Sequence, residues 1–417
     1  APLHTNFRLS DNARSYLALV DSSGTNVVSS FASYPKQFPD VSYGRDRNDP
    51  GIVGYYTNAT PNAPNAVTGA GFAPDVLFSK TSSTFVAPFA LTLATVDTNT
   101  VIRYFLVTNA ATAAATNVPN LNSPIYASPI PITGPTIVRA RAFAKGAEVF
   151  PGAIRSETFL RLDPDVLDFS SDLPLIIIHN FGAGAYPSSQ AELLSAFAVF
   201  DNTLDRASLT NTPVLMTRAG LNLRGYSTLS YPKGSFAVEF QDEFNDAKSL
   251  PLLEMPEESD WVLYAPNNIE PVMMHNPLFY RMSREIGRYA SRTRFAEVFL
   301  NTGGGAVGAS HYNGIYVVEE KLKRSPDRVN IARLDVEDTN APAITGGYFL
   351  AVDWVDPGEP TYIVPGVGSV PAQTIIYHYP KGEILRLPQR DPQEQYINVY
   401  LRNFVTNLAG PAFNTAT

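Results

Sequence analysis

Between Arg224 and Lys233 the chain reads RGYSTLSYPK. Two cations, Arg224 and Lys233, stand there with the hydroxyls of Ser227 and Thr228 and with Gly225, whose missing Cβ lets backbone amides come close to a ligand. Cations, hydroxyls and accessible amides on a short loop are the groups that hold an oxyanion such as phosphate. The same residues also read as a surface hairpin with solvated charges, because Lys and Arg sit mostly in water. Other chemistries find less support. The chain has 5 His and 0 Cys, which removes disulfides, zinc thiolate sites and cysteine nucleophiles. No HExxH or GxSxG spacing occurs, so neither a zincin nor an α/β-hydrolase is indicated. His179, at the end of a buried strand, and His275, ahead of a helix, read as structural. The run from Gly303 to Gly308, GGGAVG, satisfies GxGxxG, but a strand follows it where a dinucleotide site needs a helix. It reads as a flexible hairpin tip.

The elements that must position the loop are legible in the hydrophobic period. Leu221–Arg224 and Ser235–Phe240 are short strands on either side of it, and in the second Phe236, Val238 and Phe240 share one face. Asn276 to Tyr289 is expected to be helical, with Leu278, Phe279, Met282, Ile286 and Tyr289 on one side. Phe295–Leu300 and Tyr312–Val318 read as strands joined by the glycine-rich tip, and Glu319, Glu320 and Lys321 end the second. A lysine at a strand edge, a helix behind it and an acid nearby form the plan of a nucleotide-binding lobe, in which the ammonium neutralises phosphate oxygens and a carboxylate fixes the ammonium. Leu173–His179 starts this core as a buried strand. Gln190 to Phe200 carries Leu193, Leu194, Phe197 and Phe200 at helical spacing, although strand-like breaks follow at once, and Gln393 to Leu408 reads as a second helix. Asp335, Asp338, Asp353 and Asp356 read as turn or strand-end residues.

Upstream the pattern is all-β. Residues 4–43 hold alternating runs (Tyr16, Ala18, Val20) broken by a turn at Asp21–Gly24, and Asp46 to Asn65 reads as a loop. From Ala73 to Leu162, strands recur at sandwich spacing, among them Val76–Ser79, Phe89–Leu93, Val101–Phe105 and Thr136–Phe143. Arg161–Asp165 reads as a linker. At 417 residues, two or three domains are expected. Hydrophobic residues make 44% and charged residues 17%, with 34 Pro and 21 Tyr favouring strands and turns over long helices. The net charge of −8 argues against nucleic acid as a partner. No run approaches the roughly 18 apolar residues of a membrane span. Low charge, abundant Ser, Thr, Asn and Tyr and the missing Cys suit an exported bacterial protein, although the first residues are not a signal peptide.

Five stretches then carry a family resemblance: RGYSTLSYPKGSFAVEF, MPEESDWVLYAP, HNPLFYRMSREIGRYASRTRFAEVFLN, YNGIYVVEEKLKRSPDRVNIARLD and TGGYFLAVD. In order and spacing they resemble the spore-coat protein H (CotH) kinase family from about Leu173 to Leu408. SYGRD and TPNAPNA resemble the closing strands of a bacterial lamin-tail domain, and 72–162 resembles a chitobiase C-terminal-like or fibronectin-associated immunoglobulin-like module. The resemblance implies an α+β fold with an incomplete, atypical protein-kinase-like domain (170–417) following all-β sandwich modules (1–68 and 72–162). It implies a nucleotide-binding site at Arg224, Gly225, Ser227, Lys233 and Glu320, with Asn276 supporting the helix. ATP and Mg²⁺ are the cofactors it implies for the intact protein. The substrate it implies is Ser or Thr of an extracellular or coat protein, in a secreted or cell-surface setting. Gly234, Glu270 and His275 stand where the family pattern carries Lys, Asp and Arg. The family's metal-binding aspartates, in Asn-x-Asp and Trp-Asp-x-Asp segments, are expected beyond Leu408, so no catalytic or metal-binding residue is expected within 1–417, and the missing part of the same protein is an expected partner. The alternative reading is an extracellular structural or adhesive protein with a non-catalytic kinase-like module.

Overall fold

Strands with one apolar face can satisfy it by closing on themselves, and seven of them do so here. In the computed structural model these are β1 (Leu175–His179), β2 (Leu193–Phe200), β3 (Leu215–Arg224), β4 (Ser235–Gln241), β5 (Asp260–Tyr264), β6 (Thr293–Asn301) and β7 (Tyr312–Glu320). They form a closed barrel in the order β1-β2-β3-β4-β5-β7-β6. Neighbours are antiparallel except β1 and β6, whose parallel pairing runs from Leu175 opposite Glu297 to His179 opposite Asn301 and shuts the ring. Phe236, Val238 and Phe240 of β4, Trp261 and Leu263 of β5, and Tyr316 and Val318 of β7 fill the interior. The structure describes residues 16–410 apart from 33, 39–40, 57–59, 61, 66–71, 114–117, 146–148, 202–204, 226, 267–269, 271 and 356–357. Residues 4–15, the first expected boundary near 68–72 and Asp356 therefore lie wholly or partly outside the described residues.

One side of the barrel is also buried from without. Leu175 and Ile177, Ala196, Ala198 and Phe200, and Phe299 turn away from the interior and pack with Val107, Ile137, Leu160 and Leu162 of the upstream strands. β2 is thus covered on both faces, which explains why Gln190–Phe200 is a strand from Leu193 and not the helix its spacing suggests. A doubly buried strand loses its alternation, and period alone cannot tell it from a buried helix. The segment Arg161–Asp165 is likewise packed, not a loose linker: the Val307 amide donates to the Arg161 carbonyl and the Asp163 amide to the Val307 carbonyl, each at 2.8 Å. The glycine-rich tip is held by the same contacts, and Gly304 packs beside Gly182. The tip is a docked hairpin, not a flexible one. Arg139, from the upstream sheet, reaches across to Glu243 at 3.3 Å. Ile177→Val is expected to cost about 0.5–1.5 kcal/mol. Because the core is shared, calorimetry should show one common transition moving, not one of two.

The upstream strands Ser83–Phe85, Arg155–Arg161, Thr136–Ala144 and Thr100–Val107 form one sheet, in that order. Shorter pairs, Phe89–Leu91 with Ile130–Ile132 and Leu77–Phe78 with Leu93–Ala94, complete a core around Leu91, Ile132, Val138 and Phe159. Before them lie two hairpins, Leu17–Val20 with Val27–Phe31 and Ser42–Arg45 with Val53–Tyr56. The second places a strand inside Asp46–Asn65, a stretch that reads as loop because its polar turn residues outnumber the four strand residues. Downstream, Phe349–Ala351, Gln373–Tyr379 and Thr361–Val364 make a three-stranded sheet. Two helices matter below: α1 (His275–Glu285) and α2 (Asp391–Ala409). α2 packs Ile397, Leu401 and Val405 on the three-stranded sheet. The described chain is mostly β, with few helices.

Candidate functional site

The loop after β3 sits on the rim of the barrel. Gly225 has φ +114°, and a Cβ there would lie 2.0 Å from the Thr228 Oγ1. Only glycine turns the chain at this point. A short 3-10 turn, Ser227–Ser230, follows; the Tyr226 residue and the Ser227 side chain lie outside the described residues. Lys233 bends over the barrel mouth, where its ammonium donates to the Ile315 carbonyl and sits 4.2 Å from the centre of the Tyr316 ring. Half-buried, with no carboxylate partner among the described residues, it has its pKa lowered to about 8 by desolvation. Tyr316 donates from its hydroxyl to the Gly234 carbonyl at 3.1 Å and so ties β7 to the end of the loop. At Gly234, a Cβ would stand 2.5 Å from the Leu223 Cδ2. A side chain at Gly234 would need the end of the Leu223 side chain to move aside.

A second group gathers on the outside of β3, β5 and β7. Leu223, Leu263 and Val318 point into the core, so by two-residue alternation Arg224, Tyr264 and Glu319 point outward. Glu270 lies beside them, only 4% exposed. Its Oε2 accepts from the Tyr264 hydroxyl at 2.7 Å, and its Oε1 accepts from the His275 amide and, at 3.4 Å, the Asn276 amide. Glu270 thus supplies the anion that the N-terminus of α1 attracts; Asn276 contributes its backbone amide there. Glu319 is 6% exposed, and its Oε1 has no hydrogen-bond partner among the described residues. Burial first, and the nearby Glu270 charge, push its pKa up to about 7 against the pull of Arg224. Arg224 itself is exposed and makes no hydrogen bond or ion pair among the described residues.

The structure does not bring Glu320 to Lys233. Glu320 faces the same way as Tyr316 but four residues on, about 13 Å at the rise of a strand. There it accepts from the Arg292 Nη1 at 2.6 Å, the Arg292 amide at 2.9 Å and the Tyr289 hydroxyl at 3.2 Å. Arg328, stacked on the Trp261 ring at 5.0 Å, lies 3.9 Å away. These contacts make Glu320 a plug for the far end of the barrel, while the acid that faces the loop's side of the sheet is its neighbour Glu319. The Glu-Glu doublet at the end of a strand was the available signal, since adjacent residues must face opposite ways. His179 is fully buried, with both ring nitrogens engaged, by the Gly305 carbonyl at 2.9 Å and the Phe181 amide at 3.1 Å. Desolvation lowers its pKa to about 4, so it is neutral and structural.

Residues 221–382 match the family described as CotH kinase protein. The chain contains a CotH kinase family domain. The match is narrower than 173–408 but includes all five quoted stretches, with the phosphate-type loop, α1 and β4 to β7 inside it. β1 and β2, which close the barrel, lie outside the matched CotH span. No curated protein matches the chain.

Proposed function

We propose that the loop from Arg224 to Lys233 binds the phosphates of ATP, and that the CotH domain serves a kinase acting on Ser or Thr hydroxyls of extracellular or coat proteins. The observation that carries this reading is the pair of rim cations. Arg224 and Lys233 flank a turn that only glycine can make, and neither forms an ion pair among the described residues. Lys233 would exchange the Ile315 carbonyl for a phosphate oxygen, with Arg224 approaching from the outer side. Ser227 and Glu320 complete the implied nucleotide residues; Glu320 would act only through the barrel end it closes.

A divalent cation would neutralise the phosphates and activate the acceptor hydroxyl. Among the described residues no three His, Asp or Glu side chains gather as a cation site, so no step is assigned to a metal here. The kinase-like lobe at 170–417, the lamin-tail-like unit at 1–68, the immunoglobulin-like unit at 72–162 and the secreted or cell-surface setting belong to the same proposal. It is supported by the family match, the cysteine-free composition and the β-rich upstream region.

Lys233→Ala should weaken ATP binding in titration calorimetry about 10-fold or more, the loss of a charge-assisted hydrogen bond, with the thermal transition little changed. Wild-type affinity should also fall as pH rises through about 8, because the ammonium loses its proton; Lys233→Arg should remove that step. Unchanged affinity in Lys233→Ala would refute the site. One observation favours the second reading, a non-catalytic binding module. α1 turns Leu278, Phe279 and Met282 to solvent at 50–63% exposure, and Ile286, just past its end, is 78% exposed, although their spacing is that of a packed face. Absence of phosphate transfer from labelled ATP with Mg²⁺ or Mn²⁺ by the intact protein, with the acidic segments expected beyond Leu408 in place, would decide for it.

A further inference from the structure

Two groups of opposite charge on the outer face of the barrel, the Glu319 Oε1 and the Arg224 guanidinium, lack hydrogen-bond partners among the described residues. Glu319 is a buried carboxylate whose Oε1 accepts no hydrogen bond from the described residues. Arg224 is an exposed guanidinium with no bond among the described residues. Strand register places them on one face with β4 and β5 between: Arg224 pairs with Ser235, Val262 pairs with Glu319, and Tyr264 pairs with Val317. The other charged or titratable groups around them are already committed. Glu270 is occupied on both oxygens by Tyr264 and by the first amides of α1. Lys321, next on that face of the chain after Glu319, is bound to Asp260 at 3.1 Å. Tyr264 and Tyr280 face the cluster with pKa values raised by burial first and then by Glu270 and Glu319, so they remain neutral. Arg224 is therefore the cation left to answer Glu319.

We propose that Glu319 is a positioning residue for Arg224: the ionised carboxylate draws the guanidinium onto the outer face of the barrel, and protonation releases it to the phosphate at the loop. This rests on the phosphate-loop reading above. An incoming polyphosphate acts in the same direction, because its negative charge disfavours an ionised carboxylate nearby and competes for the same guanidinium. ATP binding and protonation of Glu319 are thus coupled, each promoting the other. The carboxyl titrates near neutrality because burial and Glu270 outweigh Arg224.

The test is titration calorimetry with ATP between pH 6 and 8.5, carried out in Lys233→Arg so that the lysine's own titration is absent. In that background affinity should fall about 10-fold as pH rises from 6 to 8.5. Adding Glu319→Gln should remove the slope and bring the pH 8.5 affinity up to the pH 6 value. Arg224→Gln should also remove the slope, but by lowering the pH 6 affinity to the pH 8.5 value; this variant, at an exposed position, serves if Glu319→Gln does not fold. A slope that survives either change, or weaker binding in Glu319→Gln at pH 8.5, overturns the inference and leaves the phosphate loop standing. No ATP binding by the wild-type chain at any pH overturns both.

Discussion

Replacing Glu320 by alanine should lower stability by about 3–5 kcal/mol, the range for removing one partner of a buried ion pair. The side chain is 0% exposed, and Arg328, 1% exposed, stands with Arg292 around it. Without the carboxylate the two guanidiniums face each other across the end of the barrel, and the Tyr289 hydroxyl and Arg292 amide lose their acceptor. Urea denaturation measures the effect directly. Lys233→Ala, by contrast, gives up a cation–π contact and one hydrogen bond at a half-exposed rim, and should cost about 1 kcal/mol. The pair of variants separates two roles that the family resemblance groups together. If Glu320→Ala kept wild-type stability and lost only ATP affinity, Glu320 would belong to the nucleotide site after all.

Glu319→Gln should do the opposite and stabilise the chain, by about 2–3 kcal/mol at pH 8. The folded-state pKa of about 7 lies above the ordinary 4.5, so the folded state binds more protons than the unfolded one between these values. Wild-type stability therefore falls as pH rises from about 4.5 to about 7, and the loss is complete above that. Glutamine has the shape without the charge and escapes the loss, although its amide brings an unmet donor that offsets part of the gain. Denaturation at pH 5 and pH 8 should show a small difference between variant and wild type at the lower pH and a large one at the higher. Equal differences at both would mean that Glu319 is not held as a desolvated carboxylate.

The two glutamates illustrate the division of labour between chain and fold. Local sequence determined the strand ends around the loop, because Phe236, Val238 and Phe240 alternate strictly against a core on one side only. It determined the turn at Gly225, where backbone geometry admits little else, and the existence of α1 and α2, whose apolar spacing is long enough to be unambiguous. The five motifs carried the family, and the CotH match covers all of them. What the sequence could not hold was anything that depends on which surfaces meet. β2 lost its alternation because the upstream strands cover its outer face. The glycine-rich tip, open-looking in sequence, is docked because the Val307 backbone bonds to Arg161 and Asp163. α1 has a packed helix's pattern and an exposed face. Glu319 and Glu320 are the same residue type in adjacent positions, so composition and motif cannot rank them. Only closure of the barrel decides that Glu320 meets Arg292 at its far end and that Glu319 is buried on the outer face, because successive strand residues point to opposite sides and the ring fixes what lies on each.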